Sequence, residues 1–156
     1  MIIDFHTHIF PEKVIVDKGR FLPEPSFKLL YSSDKSRMVG RDELISYVSD
    51  NELYGAAAMS FPWRDADLCR IHNDYMSESA LLAGRKIFPF GMVPSGSVSS
   101  VRKVAEEIKS SGLCGIGEIA FYESGLDKGA ERFLREVFEA AIDLALPVCI
   151  HLNEPV

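Results

Sequence analysis

Residues Met1–Pro11 read MIIDFHTHIFP, and the fold turns on where this stretch is placed. Ile2 to Phe5 is a short apolar run interrupted only by Asp4, and His6-Thr7-His8 follows it directly. Side chains two apart on a strand share a face, so His6 and His8 are set to point at one ion. Neutral imidazole is the commonest protein ligand for zinc and related divalent metals. Asp4 falls on the same face as His6 and is expected to orient a histidine ring from behind.

Four further runs have the same apolar character: Ala56 to Phe61, Ile87 to Val93, Leu113 to Ile119 and Val148 to Leu152. Runs that are apolar throughout, rather than alternating, suit strands buried on both faces of a parallel sheet. Helical periodicity lies between them. Arg41 to Leu53, Asp65 to Ala83, Val98 to Lys109 and Ala130 to Leu146 each place apolar residues at i, i+3, i+4 spacing. The order β-α-β-α-β-α-β-α-β demands right-handed crossovers and parallel strands. Gly84, Gly112 and Pro147 punctuate the helix ends, and Asp65 and Ser97 are set as N-caps. One connection is anomalous: Ile9 to Gly40, holding Pro11, Pro23 and Pro25, is expected to form a lid-like insertion.

Five βα units fit an open doubly wound sheet, or the first five strands of a (β/α) barrel that typically needs about 250 residues. Two later residues decide between them. Glu118 ends the fourth run after Gly115-Ile116-Gly117, and His151 ends the fifth. A lone carboxylate there is costly to bury without a cation. In an open sheet, ligands on strands 1, 4 and 5 spread along an edge; in a barrel, strand ends ring a common axis. The chain therefore reads as an α/β protein of the parallel TIM-barrel type, a partial barrel with five strands present, residues 1–156 forming part of one domain.

MIIDFHTHIFP, GIGEI and LPVCIH together resemble the amidohydrolase superfamily of metal-dependent barrel hydrolases. GIGEI is most similar to its TatD-like branch, and the opening is also similar to the branch containing aminocarboxymuconate-semialdehyde decarboxylase. The resemblance implies that His6 and His8 are metal ligands. It makes Glu118 a catalytic residue and a bridging or second-metal ligand, and His151 a ligand to the second or the single ion. One or two divalent ions are implied, zinc first, then manganese, cobalt or magnesium. The implied activity is attack of metal-activated water on an amide, ester or phosphodiester bond. Metal-dependent decarboxylation is the alternative within the superfamily. An inactive partial barrel that pairs with a second copy through its edge strands, as a homodimer, is the alternative outside it. The family pattern continues with a His on a sixth strand and an Asp on an eighth, so a truncated polypeptide is expected.

Other residues carry weaker signals. Trp63 and Arg64 follow strand 2, and Tyr122 and Glu123 follow strand 4, where they are placed to bind substrate. Glu154 reads as a loop residue, and His72 as a surface or packing histidine on a helix. Ser95 to Ser100 lacks a nucleophile frame, and Gly115 and Gly117 lack nucleotide-binding spacing. Across 156 residues, 17 Lys+Arg against 23 Asp+Glu give a net charge of −6, which argues against a dedicated nucleic-acid surface. A small-molecule or phosphodiester substrate is expected instead. No run approaches the ~18 apolar residues of a membrane span, and the N-terminus is not built as a signal peptide, so a cytoplasmic protein is expected. Cys69, Cys114 and Cys149 have no CxxC spacing and read as buried reduced thiols.

Overall fold

In the computed structural model, residues 1–84, 86–95, 97–122 and 125–152 are described. Five strands, β1 (Ile3–His8), β2 (Gly55–Met59), β3 (Ile87–Gly91), β4 (Gly115–Ala120) and β5 (Val148–His151), pair in parallel in the order β1-β2-β3-β4-β5. They curl into a half-barrel, the partial (β/α) barrel that the strand pattern and site residues predict. Along β2, Ala56 and Ala58 face the large core between sheet and helices, whereas Ala57 and Met59 join Phe90 on the other face. Both faces of β2 are buried, which is why its sequence does not alternate.

The helices follow their apolar stripes: α3 (Arg41–Asp50), α4 (Ala66–Leu82), α5 (Val101–Ser110) and α6 (Lys128–Leu144). Asp65 caps α4 by accepting from the Leu68 N–H at 2.9 Å, and Asp127 caps α6 through the Ala130 N–H at 2.8 Å. Ser97 makes no capping bond; a 3-10 turn over Val98–Ser100 precedes α5. No helix among the described residues is long and apolar enough to cross a membrane.

The Ile9 to Gly40 stretch differs from an open lid. It holds α1 (Glu12–Val16), a 3-10 turn (Lys18–Phe21) and α2 (Pro25–Tyr31). Phe10, Phe21 and Phe27 are buried, and Phe27 stacks on Trp63 with ring centroids 5.2 Å apart. At about 1.5–3 kcal/mol for each buried aromatic, lifting these three away would cost roughly 5–9 kcal/mol. Those three side chains tie the stretch to the core.

Two further expectations need correction. β3 stops at Gly91 rather than Val93 because Met92 finds a side-chain partner. Asn73 donates to the Met92 carbonyl at 2.9 Å and accepts from its N–H at 2.8 Å. The amide of one helix residue thus replaces a neighbouring strand. The cysteines are free, but only Cys69 is buried; Cys114 is exposed just before β4, and Cys149 is half-buried.

Candidate metal centre

β1 and β4 each carry an irregularity where their candidate ligands stand. Against β2, β1 advances from Asp4 to Thr7 while its partner advances from Ala56 to Ala58. Against β5, β4 advances from Ile116 to Ile119 while its partner advances from Val148 to Ile150. One extra residue in each strand is a β-bulge, a device that re-aims side chains beside functional sites. His6 sits in the first bulge, Glu118 in the second. The bulged β4 backbone is held from β2, with the Glu118 N–H donating to the Ser60 carbonyl at 3.1 Å and the Gly117 carbonyl accepting from the Ser60 N–H at 3.0 Å.

The side chains converge. His6 Nε2 and His8 Nε2 are 3.2 Å apart, His6 Nε2 lies 3.4 Å from Glu118 Oε1, and His8 Nε2 lies 3.2 Å from Glu118 Oε2. His151 Nδ1 reaches Glu118 Oε1 at 3.0 Å. Glu118 is 3 % exposed and is the only buried charged residue among those described. Its burial works against ionisation, but the hydrogen bond from His8 and the positive charge of His8, His6 and His151 outweigh it. The carboxyl is held below the ordinary carboxylate range. Asp4 does not orient a ring: its Oδ1 accepts from the His6 backbone N–H and its Oδ2 from the Tyr47 hydroxyl.

This donor set fits a divalent cation. One ligand atom from each of His6, His8 and Glu118 lies within 4.8 Å of the other two. Ligands about 2.0–2.1 Å from a tetrahedral ion stand roughly 3.3–3.4 Å from one another, close to the separations seen here. Two imidazoles and one carboxylate suit zinc or manganese chemistry. His8 Nδ1 is buried without a partner, and with Nε2 committed to a cation it would carry the ring proton.

A family model described as amidohydrolase matches residues 3–155. The chain belongs to the amidohydrolase family. No curated protein matches it significantly. Among solved structures, it is similar to 5-carboxyvanillate decarboxylase from Novosphingobium aromaticivorans with bound manganese, at 17% identity and a TM-score of 0.76, covering 97% of this chain and 50% of that one. It is similar to dihydroxybenzoic acid decarboxylase from Polaromonas sp. JS666, also with manganese, at 15% identity and TM-score 0.65, covering 99% and 50%. It is also similar to a probable 2-pyrone-4,6-dicarboxylic acid hydrolase from Acinetobacter baumannii, at 14% identity and TM-score 0.57, covering 96% and 49%. At these identities the likeness is one of fold, and this amidohydrolase chain spans about half the length of each.

The remaining sequence-predicted residues divide. Arg64 and Tyr122 line a cleft of about 300 Å³ beside the centre, with Ser26, Ser95 and Asp127. The Tyr122 ring stands 5.3 Å from the His151 ring. Burial, and then the Glu118 charge, push the Tyr122 hydroxyl up to about 12, so it stays protonated. Trp63, expected at the substrate, is 1 % exposed and does not line this cleft. Its indole N–H donates to His72 Nδ1 at 3.0 Å. His72 is not a surface residue: it is 1 % exposed, and its Nε2 stands 2.8 Å from the Ile9 carbonyl. Glu123 and Glu154 lie outside the described residues. Sequence reading missed Ser26, Asp127 and the bracing role of His72. Ser95 alone had a signal, its place just after β3.

Proposed function

We propose that this amidohydrolase chain carries the metal centre of a metal-dependent hydrolase acting on a small molecule through an amide, ester or phosphodiester bond. The observation that supports this reading is the buried Glu118 carboxylate, within 3.4 Å of His6 and His8 and 3.0 Å from His151. A carboxylate with histidines on both of its oxygens is placed to bridge two ions, or to complete the site of one. The ion proposed is zinc, with manganese next.

When bound, the metal supplies Lewis acidity, polarising the scissile group and making water acidic enough to attack near neutral pH. His6 and His8 supply Nε2 lone pairs from one strand. Glu118, kept ionised by its surroundings, serves as a ligand, and its lowered pKa makes it unsuited to donate a proton. His151 is proposed as a further ligand, and in the metal-free chain it holds the Glu118 carboxylate in place. Arg64 and Tyr122 are proposed to bind substrate in the adjoining cleft.

Decarboxylation is the second reading, favoured by two fold neighbours whose names give that activity with manganese bound. The test is the number of ions per chain in the full-length protein reconstituted with zinc or manganese, measured by elemental analysis. About two ions, with His6→Ala losing both activity and metal, supports hydrolysis. A single ion, retained after Glu118→Ala, favours decarboxylation instead. No bound ion rejects both.

A further inference from the structure

One buried side chain of α4 reaches the chain just beyond two strands at once. His72 faces the Ile9 carbonyl, past the end of β1, with Nε2 at 2.8 Å. Its other ring nitrogen, Nδ1, accepts from the Phe61 backbone N–H at 3.4 Å, past the end of β2, and from the Trp63 indole N–H at 3.0 Å. These partners select one neutral tautomer. Two donors face Nδ1, so Nε2 carries the proton and donates it to the carbonyl. Phe10 and Trp63 flank the ring, with centroids 5.4 and 6.2 Å from its own, and hold it in that orientation.

Each backbone contact falls beside the metal centre. Ile9 directly follows the ligand His8. Phe61 directly follows Ser60, whose carbonyl and N–H hold Glu118 and Gly117 of β4 at 3.1 and 3.0 Å. One ring therefore joins the neighbour of His8 to the neighbour of the residue that anchors Glu118. Both β1 and β4 are bulged at their ligands, so a regular ladder does not by itself set where those side chains stand. We infer that His72 is a positioning residue for the metal centre: it fixes the spacing between His8 and Glu118 through the backbone of Ile9 and Phe61. This rests on the proposed metal-dependent function. Ligands must be held to within about 0.5 Å for a productive site. An apolar ring at position 72 would fill the space, yet it would leave the buried Phe61 N–H and Ile9 carbonyl to move toward other partners. The effect reaches the metal indirectly, since His72 makes its hydrogen bonds to neighbouring residues and to none of the four proposed ligands.

The test compares His72→Phe, which keeps a ring, with His72→Gln, which keeps one acceptor and one donor. Both are made in the full-length protein beside Val137→Ala, a buried change on α6, a helix that supplies no ligand. Cobalt(II) affinity, by chelator competition, and the cobalt absorption spectrum are read where circular dichroism shows each variant folded. His72→Phe should bind cobalt about tenfold more weakly with altered ligand-field bands, and His72→Gln should stay within about threefold of wild type with its spectrum. Val137→Ala should match wild type in both. Amide hydrogen exchange in the metal-free chains gives a second readout. His72→Phe should speed exchange at the Ser60 and Glu118 amides at least tenfold, while the Ile116 amide, also on β4 but bonded to Pro147, keeps its rate. A loss of stability alone would speed all three amides and weaken cobalt in Val137→Ala as well. Either result overturns the proposal, as does unchanged cobalt affinity in His72→Phe or no rescue by His72→Gln. Where His72→Phe fails to fold, His72→Asn, too short to span both partners, is judged by the same criteria. A wild type that binds no cobalt refutes the proposed function, and the exchange rates then decide on His72 alone.

Discussion

His151 Nδ1 stands 3.0 Å from Glu118 Oε1, the same oxygen that lies 3.4 Å from His6 Nε2. One carboxylate oxygen thus ties the last strand to the first across the half-barrel. Substituting the two ends separates their roles. Glu118→Gln keeps the shape but removes the charge, and metal affinity should fall by more than about 100-fold, beyond what loss of a supporting group costs. His151→Ala should cost about 10–100-fold if the ring mainly orients Glu118, and more if it is itself a ligand. Competition with a chromophoric chelator measures both, and equal affinities for wild type and Glu118→Gln would exclude the carboxylate from the site.

The buried His72 carries a pH dependence of stability. Burial is the chief cause that lowers its pKa to about 4 from 6.5, and the His8 charge adds to it. Between those values the unfolded chain binds a proton that the native ring refuses. Stability should therefore be full above pH 6.5, fall as pH drops toward 4, and level off below. The loss attributable to this ring is about 3 kcal/mol. His72→Gln, which can still accept from Trp63 and donate to Ile9, should flatten that part of the profile. Urea denaturation at pH 7, 5.5 and 4.5 reads the difference, and the other histidines cancel because they are common to both proteins. Parallel profiles would show that His72 does not titrate as its burial demands.

Asn73 gives a sharper stability test. Its amide satisfies both backbone groups of the fully buried Met92 where β3 ends. Asn73→Ala strands two buried polar groups and should cost about 2–4 kcal/mol. Asn73→Asp keeps one bond but sets a carboxylate oxygen against the Met92 carbonyl, so it should be no milder. Denaturant midpoints at constant m-value measure both.

The fold was legible because β2, β3 and β4 are buried on both faces, and continuous apolar runs such as Ala56 to Met59 record that directly. His6, His8, Glu118 and His151 were legible because strand ends in a parallel sheet converge. What stayed hidden depends on contacts between distant residues. Nothing in HTH or GIGE announces a bulge, since an extra residue is defined only against the partner strand. His72 looked like a helix-flank residue because its acceptors and donors, Ile9, Phe61 and Trp63, come from other elements. The Ile9 to Gly40 stretch resembled a lid because its prolines break periodicity, yet Pro11 and Pro25 open short helices that bury Val14 and Phe27.

Gly117 links backbone freedom to the metal site. Its φ is +148°, a conformation that side chains other than glycine rarely adopt. A Cβ there would also stand 2.8 Å from both the Cβ and the carbonyl oxygen of Cys149 on β5. Gly117→Ala should therefore cost about 1–3 kcal/mol from the backbone alone, with the steric conflict added. Because the next residue is Glu118, a shifted backbone should also misplace the carboxylate and weaken metal binding at least tenfold. Cys149→Gly in the same chain removes one clash but leaves the carbonyl oxygen and the dihedral, so it should recover little. Thermal unfolding and chelator competition on the single and double variants check this; full rescue by Cys149→Gly would mean that side-chain crowding, not the backbone, requires glycine at 117.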